Sequence, residues 1–387
     1  MKKVMISACE LSGDMYGASL VKELKKQNSS LNFVGLGGSR MAEAGVELVA
    51  DITTSSTIGF LEPLRHIPKI YSAYRKMKRL MKIDQPDLLV IIDAQGFHIP
   101  LLAAAKKLNI PTVYYIAPQE WQWGTDAGGR KVLAVVDKIL AIFEEEHEFY
   151  KRLGGDSIYV GHPILDELNV DLDREALQKK IGVKNPERVL AVFPGSRPQE
   201  IKRVAPILIK AAAEIQKKDG VQVVISVSSS KYEKAIKKIV EENNIQNPIL
   251  YKGMARELIS ITDLSLVVSG TITLEHAVLG VPCVVGYKFA PISFRLAKLF
   301  FGARLKRIKY ISLPNLLMMR PIIPEFLQEE ATVANLVFAA NNLLEDGVAK
   351  ENLKKNLVKV KKKLGELGVV KRAALEIINY MNRENNA

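Results

Sequence analysis

The chain has 387 residues, too many for one ordinary core and enough for two domains of similar size. With 48% hydrophobic and 25% charged residues it has a globular balance, and no apolar run approaches the ~20 residues needed to span a bilayer. The formal net charge of +13 favours an anionic partner, whether nucleic acid, phosphorylated small molecules or an acidic membrane surface, without choosing among them.

Apolar runs at 4–8, 32–34, 88–92, 112–116, 138–142 and 157–159 predict strands, with helices between them at 16–27, 70–83 and 100–108. The opening Met1-Lys2-Lys3-Val4-Met5-Ile6 resembles a signal peptide only briefly. Ser7, Glu10 and Asp14 interrupt it, so a buried first strand and a cytoplasmic location are expected. The polar stretch 166–174 reads as a linker, and strands at 189–193, 221–227, 249–251, 264–268 and 283–285 then repeat the pattern. This alternation implies an α/β chain of two doubly wound domains with a cleft between them, where ligands sit beyond the carboxyl ends of the strands. The expected divisions are 1–168, 169–345 and a helical, Lys-rich tail, 346–387, packed back on the N-terminal domain.

Ser269-Gly270-Thr271-Ile272-Thr273-Leu274-Glu275 follows a predicted strand and opens a helix. Gly270 lets backbone approach a ligand, and the helix start aims N–H groups and its positive dipole end at an anion. Thr271 and Thr273 add hydroxyls, and Glu275 is placed to accept from ribose hydroxyls; the plainer reading is a capped helix with a dipole-complementing Glu. A second strand–loop–helix start, Pro194-Gly195-Ser196-Arg197-Pro198, offers Arg197 for bidentate contacts to a diphosphate, or as a solvated surface cation. Lys252-Gly253-Met254 could present backbone to a base.

In the first half, Glu10, Ser12 and Asp14 follow the first strand, and Asp93 follows the strand at 88–92, where a carboxylate could deprotonate an attacking hydroxyl or simply cap its loop. Gly35-Leu36-Gly37-Gly38-Ser39-Arg40 fails the dinucleotide fingerprint, because Arg40 holds the third glycine's place. His98 and His162 are the histidines expected near the cleft. Cys9 and Cys283 form no paired motif, and Asp173 of Asp171-Leu172-Asp173 reads as the cap of a helix at 174–181, so neither a disulfide framework nor a metal site is expected. Two stretches mix apolar groups with cations as an anionic membrane interface does: Ile58, Phe60 and Leu61 ahead of Arg65 and Lys69, and Phe294, Arg295, Lys298 and Phe301. The basic stretches carry no nucleic-acid motif.

Several segments, in order, resemble lipid-A-disaccharide synthases. They are Glu10-Leu11-Ser12-Gly13-Asp14, Phe33-Val34-Gly35 with Gly38-Ser39-Arg40-Met41, Ile92-Asp93-Ala94, Ala117-Pro118, Trp121 with Trp123, and Gly161-His162-Pro163. The second half adds Pro194-Gly195-Ser196-Arg197 with Glu200, Ser269-Gly270-Thr271 with Leu274-Glu275, Val285-Gly286-Tyr287, and Tyr310-Ile311-Ser312-Leu313-Pro314-Asn315-Leu316-Leu317. The resemblance implies a GT-B glycosyltransferase of two Rossmann-like domains. It also implies transfer of 2,3-diacylglucosamine from its UDP derivative to 2,3-diacylglucosamine 1-phosphate, with no metal or cofactor. By that match Asp93 is the base, Glu10 lies near the acceptor, Arg197 grips the diphosphate, Glu275 holds UDP and Asn315 lies near the donor. From their place after the first strand, Ser12 and Asp14 are expected on the acceptor side, as is His98, which departs from the family pattern and is read as an auxiliary acid or base. The implied setting is the anionic cytoplasmic face of an inner membrane, with a homodimer left open. Gly96 and His98 stand where many members have Asp and Asn, Gly124 where an Arg is common, and Cys9 in place of a Gly. Alternatives are another UDP-N-acetylglucosamine enzyme, either a peptidoglycan glucosaminyltransferase or an epimerase, and a basic peripheral membrane protein without catalysis.

Overall fold

Leu88–Ile92 is buried at every position, as a central strand of a parallel sheet covered on both faces must be. The computed structural model describes residues 2–53, 67–184, 188–290 and 309–384. They belong to two units, Met1–Glu167 with Leu364–Ala387, and Leu168–Lys363.

In the first unit β1 (Lys3–Ala8), β2 (Asn32–Leu36), β3 (Val46–Ala50), β4 (Leu88–Ile92), β5 (Thr112–Tyr115), β6 (Lys138–Ala141) and β7 (Ser157–Tyr159) form one parallel sheet in the order β3-β2-β1-β4-β5-β6-β7. In the second, β8 (Val189–Phe193), β9 (Gln222–Ser226), β10 (Ile249–Tyr251), β11 (Leu264–Val267), β12 (Cys283–Tyr287) and β13 (Glu325–Leu327) form another, in the order β10-β9-β8-β11-β12-β13. Both are doubly wound. The sequence does not announce the edge strands β3 and β13. β3 is mostly half-exposed and β13 is three residues long, so neither has the apolar run of a central strand.

The tail divides between the units, which corrects its expected placement on the N-terminal domain. Helix Gly347–Lys363 belongs to the second unit and packs its buried Leu353, Leu357 and Val360 there, against helices Thr271–Leu279, Leu313–Met318 and Val333–Glu345. Only helix Val369–Glu384 packs in the first unit, on helix Leu11–Gln27. Its start is fixed by Asp166, whose carboxylate accepts from the N–H groups of Gly368 at 2.7 Å and Val370 at 2.8 Å. Arg372 donates to the carbonyl of Val160 from Nε at 3.0 Å and Nη2 at 2.8 Å. Among the described residues no helix is long and apolar enough to cross a membrane.

Candidate active site

Each sheet reverses its strand order once, and loops flanking the reversals carry most of the residues singled out above. In the first unit the reversal lies between β1 and β4, which pair up to Ala8↔Ile92, so the chain leaves both strands side by side into Cys9-Glu10 and Asp93-Ala94. Cys9 is buried. Burial first, then the Asp93 and Glu10 charges, push its thiol pKa up.

Asp93 and Ala94 turn with left-handed backbone, φ 56° and 50°. That conformation costs about 1–2 kcal/mol for each residue bearing a side chain. Hydrogen bonds hold it. The Asp93 carbonyl accepts from His98 Nδ1 at 2.6 Å and the Tyr114 hydroxyl at 2.9 Å, and its Oδ1 accepts from the Ala94 N–H at 2.7 Å. A carbonyl oxygen has no proton to give, so Nδ1 carries the ring proton. Nε2, 2.8 Å from Ser7 Oγ, therefore accepts from that hydroxyl. Burial, opposed by the bond to the Asp93 backbone, lowers the His98 pKa to about 4. His98 is fully buried with both ring nitrogens engaged, so the auxiliary acid–base role read from the sequence does not hold.

His162 is sealed too. Burial lowers its pKa to about 3, and its Nδ1 accepts from the Ile164 N–H at 3.1 Å. Asp14 is also corrected from an acceptor-side group to a structural one. It is buried, and its carboxylate accepts from the N–H groups of Gly38 at 2.7 Å, Met41 at 3.0 Å and Arg40 at 3.2 Å, holding the start of helix Ser39–Glu43. Glu10 and Ser12 stay partly exposed.

In the second unit the reversal lies between β8 and β11, paired from Leu264↔Leu190 to Val267↔Phe193, which brings the two predicted phosphate loops side by side. Both turn on glycine, Gly195 at φ 120° and Gly270 at φ 149°. Glu200, quoted above only as part of a motif, organises the first loop. Its buried carboxylate accepts from the N–H groups of Ser196 at 2.8 Å and Arg197 at 3.1 Å, and from Arg197 Nη1 at 3.0 Å. The guanidinium is thus aimed, while its side chain keeps 22% exposure with which to meet a ligand. Ser196 is exposed beside it.

Beyond Gly270, helix Thr271–Leu279 presents its first N–H groups, with Thr271 and Glu275 partly exposed on successive turns. Thr273 is buried and donates its hydroxyl to the Gly270 carbonyl at 2.8 Å, so its proton serves the loop rather than a ligand. After β10, a Cβ on Gly253 would lie 2.0 Å from the Tyr251 hydroxyl, which bonds to Glu257. Met254 is exposed.

The stretch 310–317 is tied to these two loops. Ser269 Oγ donates to the Ile311 carbonyl at 2.9 Å, and Ile311 N–H donates to Glu325 on β13 at 2.7 Å. The Glu325 carboxylate also accepts from the Ser312 N–H and Asn315 Nδ2, each at 3.0 Å, and from the Ser312 hydroxyl. Asn315 is fully buried. Its Oδ1 accepts from the Ile322 and Ile323 N–H groups at 2.7 and 2.9 Å, and its Nδ2 also donates to the Ile323 carbonyl at 3.0 Å. Asn315 thus spends its hydrogen bonds on the 322–323 backbone and on Glu325. Glu325, which no motif in the sequence singles out, is the hub. A cavity of about 440 Å³ opens beside it, lined by Asn315, Ile322, Leu353 and Asn356 but not by Arg197, Thr271 or Glu275. The expected membrane residues Ile58, Phe60, Leu61, Phe294, Arg295, Lys298 and Phe301 lie outside the described residues.

Comparison with known proteins agrees with this architecture. The family model described as lipid-A-disaccharide synthetase matches residues 4–377. The lipid-A-disaccharide synthase of Syntrophotalea carbinolica is 35% identical over 99% of this chain and 96% of its own length. That of Persephonella marina is 37% identical over 97% and 98%. Among solved structures, UDP-GlcNAc 2-epimerase from Neisseria meningitidis bound to UDP-GlcNAc superposes with a TM-score of 0.68 at 13% identity, covering 98% of this chain and 100% of that one. MurG from Acinetobacter baumannii gives 0.57 at 17% over 98% and 100%. These likenesses give the fold as GT-B, and the sequence matches decide the rest: the chain belongs to the lipid-A-disaccharide synthase family.

Proposed function

We propose that this chain is an inverting glycosyltransferase. It transfers 2,3-diacylglucosamine from its UDP derivative to the 6-hydroxyl of 2,3-diacylglucosamine 1-phosphate, forming the β-1′,6-linked disaccharide 1-phosphate and UDP. The first unit serves the acceptor and the second the donor. The observation that carries this reading is the pairing of functions at the two reversals: a presented carboxylate, Asp93, at one, and an aimed guanidinium beside a glycine-opened helix start, Arg197 with Gly270, at the other.

Inversion requires direct attack from the face opposite the leaving group. Asp93 takes the proton of the acceptor hydroxyl as its oxygen bonds to the anomeric carbon, and the carbon–oxygen bond to the β-phosphate breaks. Negative charge then grows on the diphosphate, where Arg197 and the N–H groups at Thr271 stabilise it most at the transition state. Glu275 accepts from the UDP ribose, and Glu10 lies at the acceptor. The acyl chains of both sugars place the work at a bilayer surface, which the chain's positive charge suits when that surface is anionic.

Purified protein given both acylated sugars is expected to release disaccharide and UDP. Asp93→Asn should lose roughly 10²–10⁴-fold in kcat while binding UDP normally by calorimetry. Wild-type turnover by Asp93→Asn refutes the base assignment. UDP-sugar consumption without acceptor would instead point to an epimerase.

A further inference from the structure

We propose that His98 is a positioning residue that fixes how Asp93 is presented, with the far side of its ring held by Ser7. The proposal rests on the reading of Asp93 as base. The Asp93 carboxylate is aimed by its backbone, and that backbone sits in two successive left-handed residues that are not glycine. Such a turn persists only where its surroundings over-determine it. Here two side chains donate to one carbonyl: His98 at 2.6 Å from the helix that follows the turn, and Tyr114 at 2.9 Å from the neighbouring β5. Tyr114 remains a donor because burial, reinforced by the Asp93 charge, holds its pKa well above the ordinary value.

The histidine needs an orientation of its own, because imidazole can place its proton on either nitrogen. The Asp93 carbonyl, which can only accept, settles this by drawing the proton to Nδ1, and Ser7, fully buried on β1, donates to the bare Nε2 at 2.8 Å and holds the far side of the ring. The line Ser7–His98–Asp93 therefore runs from the strand on one side of the reversal to the loop on the other. Its neutral ring brings no competing charge beside the carboxylate. A shift of the base by ~1 Å costs about 10²-fold in rate, so a clamp on its backbone acts on turnover more than on substrate affinity.

Substitutions separate this role from plain core packing. An Asn amide nitrogen can occupy the place of Nδ1, whereas that of Gln reaches the place of Nε2. His98→Asn should therefore keep kcat within about threefold of wild type. His98→Leu and His98→Gln should each lose roughly 10²-fold in kcat, with donor KM and UDP affinity unchanged. In an Asp93→Asn background, His98→Leu should cost less than about twofold more, since the group it positions has gone. Should His98→Leu fail to fold, Ser7→Ala and Tyr114→Phe test the same clamp from its two other members, and each is expected to lower kcat alone. Full kcat in folded His98→Leu, equal losses for Asn, Gln and Leu, or an undiminished loss in the Asp93→Asn background would each overturn the proposal. Turnover retained by Asp93→Asn alone would overturn the base reading instead, so the two failures are distinguishable.

Discussion

At the end of β4 the chain turns on Asp93 and Ala94, which bear side chains, whereas at the ends of β8 and β11 it turns on Gly195 and Gly270. The partners differ as well. Around Asp93 the buried groups are neutral, a histidine and a tyrosine donating to a carbonyl, while around Arg197 the partner is a buried carboxylate. On the proposed roles, the difference follows from what each place offers a ligand. A diphosphate grip must bare backbone N–H groups and hold a cation in one pose, and both are served by removing Cβ atoms and adding an aiming carboxylate. A base must be a side chain, so the backbone beneath it carries strain and needs clamps that add no charge to compete with it.

Within the second region the largest effect is expected where charge is aimed. Arg197→Ala should reduce kcat by about 10²–10³-fold, the range for losing one group that stabilises a leaving charge. Glu200→Gln keeps an acceptor for the loop N–H groups but loses the ion pair, so it should weaken UDP binding by about tenfold, roughly 1.4 kcal/mol, read by calorimetry. The loss should shrink as salt rises, because the pair is partly exposed. Equal UDP affinity in Glu200→Gln would mean that the guanidinium needs no aiming.

Much of this second region is legible in the sequence, because glycine after an apolar strand and before a helix leaves a local signature. Gly195, Gly270, Pro198 at the helix start and the Asp173 cap are all found where the residues alone place them. The first region is less legible. The backbone of Asp93 and Ala94 carries little signal, since Asp enters the left-handed region more readily than most residues but Ala does not favour it. Ser7 and His98 lie far apart in sequence and meet only through β1–β4 pairing. Glu325 is hidden for the same reason: its partners Ile311, Ser312 and Asn315 reach it across the turn into β13. The carboxylate and amide that look like ligand groups in isolation, Asp14 and Asn315, spend their bonds on backbone and, for Asn315, on Glu325 as well, a distinction that only burial reveals.

The neutral groups of the first unit make its stability respond to pH in two opposed ways. Burial lowers the pKa of His98 to about 4 and of His162 to about 3 from the ordinary 6.5, and the same holds in the second unit for His276, at about 4. For these the unfolded chain binds protons first, so their contribution is full above pH 6.5 and is lost as pH falls toward 4. Glu146 has the opposite sign. Burial, countered by N–H groups of Ile142, Phe143 and Ala117, raises its pKa from 4.5 to about 8, so the folded state holds the extra proton, and stability is lost as pH rises toward 8. Glu146→Gln should abolish the alkaline loss and steepen the acid one, so that melting at pH 5 falls further below melting at pH 7.5 than in the wild type. An unchanged melting profile would mean that Glu146 titrates alike in both states.

The smallest effects address the strain itself. Ala94→Gly removes a left-handed cost of about 1–2 kcal/mol and adds about 0.5–1 kcal/mol of unfolded-chain entropy, so stability should stay level or rise by up to about 1.5 kcal/mol. Gly270→Ala meets no atom within 4 Å, so its penalty is purely conformational, and it should destabilise by about 1–3 kcal/mol. Denaturant midpoints measure both. The two variants should also part in function: Ala94→Gly frees the turn beneath Asp93 and lowers kcat with UDP affinity kept, while Gly270→Ala draws the backbone from the diphosphate and weakens UDP. A stabilised Ala94→Gly enzyme with undiminished kcat would mean that the left-handed turn is merely tolerated at this position, and that the clamps around it exist to hold a fold rather than to aim a base.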